Sequence, residues 1–245
     1  MNQIILFLIF SGLTILGLLN EEGRKATFAR SHSEWIIDLV GLFIQGVFVP
    51  ALPFVVVPAL TLIFPVYQEK IAIPAMLQFL LSFVLIDYVY YWNHRLLHRR
   101  QLWSLHKLHH SSGHLDIFAT SRNSFITSFL IIYVWVQIIA MYLLVDSTIF
   151  MFGLALTYGL DLWRHSGISL PYQYNHYFKY ILILPGQHVI HHSLAGRNKN
   201  FGANFIWWDV LHGTYSNHEI PNRNLEKIAE GEIFNKIFRP WKDIK

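Results

Sequence analysis

Five long apolar stretches fill the first two-thirds of the chain, and they constrain its fold more than any other feature. Residues 4–19 carry no charge, residues 35–64 are interrupted by Pro50, Pro53 and Pro58, and residues 71–92 end in Asp87-Tyr-Val-Tyr-Tyr-Trp. Residues 125–145 and 149–163 are separated only by Asp146-Ser-Thr, which reads as a tight hairpin turn. Runs of this kind suit helices in a bilayer, where each backbone N–H and C=O must be satisfied within its own helix. Charged residues make up 14% of the chain, well under the roughly 25% of soluble domains, so lipid is the expected solvent.

The first stretch reads as a retained span. No Lys or Arg precedes it, and the Leu-Asn-Glu-Glu that follows offers no small-residue cleavage site. The second is either one kinked, tilted helix or a re-entrant pair. The third carries its aromatics where an interfacial belt would place them. The tail from about residue 201 is polar and mixed, and reads as a cytoplasmic cap with a helix near residues 224–238. The expected fold is therefore all-α, a multi-span transmembrane helical bundle with a cytoplasmic helical cap. It forms one integral-membrane domain over residues 1–245, with N-terminal spans in 1–80, a core in 81–216 and a tail in 217–245.

Fourteen histidines, against roughly five expected by background frequency, are concentrated beside these stretches. His94-Arg-Leu-Leu-His98 places two imidazoles on one helix face. His106-Lys-Leu-His109-His110 and His188-Val-Ile-His191-His192 each pair their first histidine with the next two at +3 and +4. The adjacent rings diverge by about 100° around a helix, so one triplet can serve two neighbouring ions. Eight imidazoles exceed the four to six or so that one ion takes, and a dinuclear site uses them naturally.

A lone i,i+4 pair would mean little, but two triplets and a pair emerging on one membrane face are hard to explain as packing, because histidine is costly to bury without partners. The fourth and fifth stretches run there and back, so both histidine regions meet on one side. Arg95, Arg99, Arg100, Lys107 and Arg164 accompany them, and the positive-inside rule makes that side cytoplasmic.

His165 emerges level with the clusters and is a further candidate ligand. Asp161, four residues earlier, either orients, ligates or is an ordinary interfacial carboxylate. His114 is a ligand, a loop residue or a donor behind the ligands. His32, His176, His212 and His218 read as surface or packing residues. Asp87 and Asp209 are either acceptors for free ring nitrogens or plain helix-end residues.

With no cysteine, the ligands are nitrogen and oxygen, and disulfides and thiolates are excluded. The net charge of +4 lies near span ends and histidines, which suits lipid headgroups rather than nucleic acid. Imidazole serves zinc, iron, copper and nickel alike, but a nitrogen-rich dinuclear site at a membrane surface suits iron and dioxygen acting on an apolar substrate. A membrane zinc hydrolase would need a carboxylate base as in H-E-x-x-H, which is absent. A metal transporter or sensor would spread its ligands through the spans. A bis-histidine haem protein would leave most imidazoles unexplained.

The order H-x-x-x-H, H-x-x-H-H, H-x-x-H-H resembles the fatty acid hydroxylase and sterol desaturase superfamily. Asp87-Tyr-Val-Tyr-Tyr-Trp-Asn-His-Arg and Leu105-His-Lys-Leu-His-His-Ser-Ser look like its first two boxes. Arg164-His-Ser-Gly-Ile-Ser-Leu-Pro is similar to its intermediate segment, and Asn200-Phe-Gly-Ala-Asn-Phe-Ile-Trp-Trp-Asp-Val-Leu-His-Gly-Thr-Tyr to its C-terminal signature. The resemblance covers about residues 80–216. It implies a di-iron centre, two iron ions with dioxygen as co-substrate, beneath a cytoplasmic cap on a four- or five-span bundle. It also implies a lipid substrate that is hydroxylated or desaturated, and an external electron donor, cytochrome b5-like or ferredoxin-like. The implied ligands are His94, His98, His106, His109, His110, His165, His188, His191 and His192. In this chain Asp161 stands where some members have a second intermediate histidine, Gln187 precedes the last box where some have another, and His212 occupies a usually aromatic position. Members act on fatty acids, sphingolipids, sterols, carotenoids and alkylglycerols. Thr120-Ser-Arg-Asn-Ser loosely resembles the alkylglycerol monooxygenase branch, which does not separate these substrates.

Overall fold

The computed structural model describes residues 2–217 and 233–243. Among them every regular element is helical, apart from isolated bridges at Ile71–Leu144 and Leu182–Phe205. Helix α1 (Asn2–Leu19) turns through 102° into α2 (Glu21–Phe28). Asn20 caps α2 by accepting the Gly23 amide at 3.1 Å. Inside the bend a Cβ on Gly23 would lie 2.5 Å from the Gly17 carbonyl oxygen, so only glycine fits.

The proline-interrupted stretch is one helix, α3 (His32–Ile63), of 32 residues. A Ser31/Glu34 capping box starts it. A wide π turn over Ile44–Phe48 opens the helix where the ring of Pro50 would press on the carbonyl of Gly46. At 1.5 Å per residue α3 is about 48 Å long, so it outreaches a hydrocarbon core of about 30 Å and must tilt or project. Helix α4 (Ala75–Leu97) follows, again with a π turn, Leu80–Leu85.

A single turn α5 (Trp103–His106) precedes α6 (Phe125–Leu130), α7 (Ile132–Leu143), α8 (Thr148–His165) and α9 (Tyr172–Phe178). Helices α10 (Pro185–His192), α11 (Trp207–Leu211) and α12 (Ile233–Phe238) complete the described elements. Among the described residues two helices, α3 and α4, are long and apolar enough to cross a membrane, and the bent α1–α2 pair would make a third. The expected fourth span is broken at Ile131, which adopts an extended conformation. The break is bridged by Asn93 of α4, which donates to the Leu130 carbonyl at 3.0 Å and accepts the Ile132 amide at 3.3 Å. This leaves α7 about 18 Å long, too short to span alone, while α8 carries Asp161 and Arg164 in its last turns.

Helix α8 packs against α1 and α4, while α7 packs against α3 and α4. Gly153 lets α8 approach α4 closely, since a Cβ there would lie 2.1 Å from Ser82 Oγ and 3.1 Å from Ser82 Cβ. Of the helix expected near residues 224–238, α12 is the described end, and residues 224–232 lie outside the described residues. Its Ile237 is buried with Ile37, Ile44 and Val49 of α3 and Val134 and Ile138 of α7, so this part of the tail belongs to the core.

A buried charge cluster fastens α3 to the segment after the second histidine triplet. Asp38 of α3 accepts Arg122 Nε at 2.6 Å and Nη2 at 2.8 Å, and Arg30 Nε at 3.0 Å. Arg30 also pairs with Asp116, and Arg122 Nη1 reaches the Ser111 carbonyl at 3.3 Å. Two guanidiniums facing two carboxylates let charges lie buried that neither partner could carry alone.

Candidate metal centre

The first histidine pair lies at the end of α4, His94 in its last turn and His98 just beyond it. The second triplet is split between the α5 turn, which ends at His106, and a 3-10 turn over His109–Ser111. The expectation of one helical triplet therefore holds for His188, His191 and His192 in α10 but not for His106, His109 and His110. Pro185 starts α10, and the Gln187 side chain caps it by accepting the Leu184 amide at 2.8 Å. Gln187 thus has a structural task at the position before the last box.

These elements bring the nine expected histidines into two groups that can each hold a metal ion. His94, His98, His106, His110 and His191 form one, and His109, His165, His188 and His192 the other, with candidate ligand atoms within 4.8 Å of one another in each. Each triplet straddles both groups. Its i,i+4 pair enters one group and the intervening ring the other, as helical divergence requires.

In the first group His94 Nε2 lies 3.1 Å from both His106 Nε2 and His191 Nε2. In the second, His165 Nε2 lies 3.4 Å from His109 Nε2 and 3.0 Å from His188 Nε2, which is 3.2 Å from His192 Nε2. All are buried except half-buried His98.

The donor set fits a metal. Nitrogens bound to one ion at about 2.1 Å stand about 3.0 Å apart at right angles and about 3.4 Å apart in a tetrahedron, the spacing seen here. Hydrogen bonds cannot explain it, because several mutually facing nitrogens cannot all find donors. Both nitrogens of His110 are buried with no partner, which is unfavourable unless an ion takes one of them.

Backbone carbonyls aim three of the rings. His94 Nδ1 donates to Phe201 O at 2.9 Å, His191 Nδ1 to Lys199 O at 2.7 Å, and His165 Nδ1 to Asp161 O at 2.9 Å. Each bond puts the proton on Nδ1 and leaves the Nε2 lone pair facing its group. Burial, reinforced by neighbouring imidazoles, pushes His106, His110, His188, His191 and His192 well below the ordinary imidazole range. His98 and His109 shift the same way for the same first cause. These seven rings are therefore held neutral, the form that binds metal.

Asp87 and Asp209 do not touch ring nitrogens. Asp87 accepts the Asn204 and Phe205 amides at 2.8 and 3.1 Å and Trp208 Nε1 at 2.6 Å. Asp209 accepts the Phe201 and Gly202 amides, both at 2.8 Å, and the Thr214 hydroxyl at 2.7 Å. They hold the 199–214 segment whose carbonyls aim His94 and His191, an acceptor role that backbone atoms leave unwritten in sequence.

Asp161 stands outside both groups and orients His165 through its carbonyl. His114 is exposed and outside them too. His212 stacks on Tyr88 and Tyr91, with centroids 5.8 and 5.1 Å away, in the place of an aromatic residue. His32 and His176 are exposed, and His218 lies outside the described residues. Arg164, expected on the charged membrane face, is buried against Asp161 at 2.8 Å.

The sequence profile of the fatty acid hydroxylase family matches residues 79–214, more than half of the chain. Over 166 residues, 64% of this chain and 49% of the relative, the chain is 32% identical to an ornithine lipid hydroxylase from Rhizobium tropici. It is 28% identical to an alkylglycerol monooxygenase from Xenopus tropicalis, over 62% of this chain and 32% of that protein. It is also 28% identical to the human alkylglycerol monooxygenase, over 55% of this chain and 29% of that one. The matched region thus spans less than half the length of each of these relatives. No solved structure matches the chain.

Proposed function

The chain belongs to the fatty acid hydroxylase family, and from that premise we propose that it is a membrane di-iron oxygenase that uses dioxygen to hydroxylate or desaturate a C–H bond of a lipid. The observation that carries this is the pair of abutting groups of nine imidazoles, whose facing nitrogens stand at the spacing of ligands on one ion. Two irons held there would supply dioxygen activation and the oxidising power to break an unactivated C–H bond.

In this reading five rings, His94, His98, His106, His110 and His191, hold one ion, and four, His109, His165, His188 and His192, hold the other. The carbonyls of Asp161, Lys199 and Phe201 fix three of the rings, so the centre needs no rearrangement to bind. The apolar bundle excludes water and seats the hydrocarbon part of the substrate. A lipid substrate accords with the named activities of both kinds of relative.

Electrons come from a separate redox protein, cytochrome b5-like or ferredoxin-like. The chain has no cysteine from which to build an iron–sulfur cluster. We place the protein as a multi-pass membrane protein with its histidines on the cytoplasmic face, where exposed Arg99 and Arg100 follow the first box and Arg24 and Lys25 lie exposed on α2.

Metal analysis and isotope labelling test the assignment. The purified protein is expected to carry two irons per chain without a haem Soret band and, when supplied with a reductant, to place one oxygen of labelled dioxygen into lipid as an alcohol, or to form an alkene with both oxygens released as water. His109→Ala and His191→Ala each remove a ring from a different group and are expected to lose turnover while still inserting, His109→Ala with loss of its group's iron. Turnover retained in both variants would overturn the assignment.

A further inference from the structure

The segment after the last histidine box reaches back along two helices, away from the histidines. Asp87 lies about 10 Å before His94 along α4, and it accepts the Asn204 and Phe205 amides and Trp208 Nε1. Asn204 goes deeper. Its side chain donates to the Phe83 carbonyl of α4 at 3.2 Å and to Thr157 Oγ1 of α8 at 2.8 Å. Thr157 stands about 12 Å before His165 along α8. Phe205 meets Phe83 edge-on at 5.4 Å. The chain before α10 descends to the same level, since Ile183 donates to the Asn204 carbonyl at 2.9 Å and Ile206 to the Ile181 carbonyl at 3.1 Å.

Charges along α4 set that level against a bilayer. Exposed Glu69, Lys70 and Asp146 stand at one end of the helix, and Arg95, Arg99 and Arg100 at the other. A hydrocarbon core of about 30 Å that begins at Ala75 takes up about 20 residues of helix and ends beside the first histidine pair. Tilt carries that boundary farther along α4. The contacts at Phe83, Asp87 and Tyr88 therefore lie at acyl depth. Irregular backbone is tolerated there only where protein satisfies it. Here two carboxylates do so, Asp87 for Asn204 and Phe205 and Asp209 for Phe201 and Gly202.

The outer surface of the segment suits acyl chains. Helix α11 lays one face on α4, with Trp208 4.8 Å from Tyr88 and the neighbouring His212 4.8 Å from Trp92. The opposite face carries Trp207, Val210 and Leu211, and the last two are 57% and 67% exposed. On a water-facing cap such a patch would be a liability. It instead continues the exposed stripe of α4 formed by Leu85, Val89, Trp92 and Leu96 at helical spacing. Between Phe201 and Leu211 the one charged residue, Asp209, is buried. We propose that residues 181–184 and 202–212 form a re-entrant wedge that dips into the hydrocarbon beside α4 and returns, with Trp207, Val210 and Leu211 against acyl chains. This rests on the reading of the chain as a membrane protein. It adds the surface by which the scaffold of the centre meets lipid, because the segment that aims His94 and His191 through the Phe201 and Lys199 carbonyls runs directly into the wedge.

The chain has no cysteine, so a single introduced one carries a spin label uniquely. The purified protein in liposomes is read for collisions of the label with dissolved oxygen, which concentrates in hydrocarbon, and with a water-soluble nickel chelate. Val210→Cys and Leu211→Cys alter exposed side chains and keep the packing intact. Both are expected to match the oxygen-to-nickel ratio of Val89→Cys on the α4 stripe, several-fold above that of Arg100→Cys. Ratios at 210 and 211 equal to that of Arg100→Cys, while Val89→Cys and Phe54→Cys of α3 favour oxygen, overturn the wedge and leave the membrane placement standing. Nickel-dominated ratios at all of these sites overturn the membrane placement and the wedge with it. Oxygen-dominated ratios at 210 and 211 in a protein that takes up no iron overturn the oxygenase reading and leave the wedge intact.

Discussion

His110 and His192 lie ring over ring, their centroids 4.4 Å apart and their planes 21° from parallel, although each belongs to a different histidine group. The two groups therefore abut, and a ligand lost from one is felt beside the other. The groups differ in reserve, because His110→Ala leaves four rings in its group whereas His192→Ala leaves three. His192→Ala is expected to retain roughly one iron per chain and His110→Ala closer to two. Elemental analysis of the two purified variants checks this. Equal iron in both would mean that the groups do not fill as separate sites.

Asp209 acts on the centre from a distance. Its carboxylate holds the Phe201 amide, and the Phe201 carbonyl holds His94 Nδ1 at 2.9 Å. Asp209→Asn keeps the size but loses one acceptor oxygen, which frees that segment. Metal affinity should fall by about 10–100-fold with helix content retained, as read by competition with a chelator. Unchanged affinity would show that Phe201 keeps its place without the carboxylate.

The sequence revealed the parts of this architecture that are local and periodic. The apolar stretches and the i,i+3 and i,i+4 histidines belong to that class, and the structure gathers the eight rings that the pattern marked, together with His165, into two groups. What escaped depends on partners far along the chain. The break at Ile131 is bridged by Asn93, 39 residues before the amide it accepts, and no feature of residues 125–145 announces it. Arg122 finds Asp38 across 84 residues. Asp87 and Asp209 read as acceptors for ring nitrogens or as plain helix-end residues, whereas their partners are mostly backbone amides, which every residue type offers alike.

Acid should loosen the metal-free protein in a defined direction. His106, His109, His110, His188, His191 and His192 are all held below the ordinary imidazole value of 6.5 in the folded state. Below that pH the unfolded chain takes up protons that the folded one refuses, so stability falls as pH falls and is unaffected above it. Each ring contributes up to about 1.4 kcal/mol per pH unit in that window. Melting temperatures of the metal-free protein should be level from about pH 8 to 7 and descend steeply from about 6.5 to 5. A flat profile would mean that the rings are already protonated, or are exposed when folded.

The Arg122–Asp38 pair yields the sharpest test of what the buried charges are for. Arg122→Met leaves Asp38 with Arg30 alone, and Asp38→Leu strands Arg122, whose remaining contacts are the Ser111 carbonyl at 3.3 Å and Glu34 at 3.9 Å. Each single change should destabilise by about 3–5 kcal/mol, because an uncompensated charge stays buried. The double variant removes both charges and fills the space with apolar groups of similar size, so it should regain much of the loss. Arg30 then keeps Asp116 as its partner. If the pair serves only stability, the double variant will bind metal like the wild type. If Arg122 also positions the second triplet through Ser111, the residue after His110, stability will return while metal affinity stays low. Thermal melting and chelator competition on the three variants separate these outcomes. Full additivity of the single losses would show that the two side chains do not act as a pair.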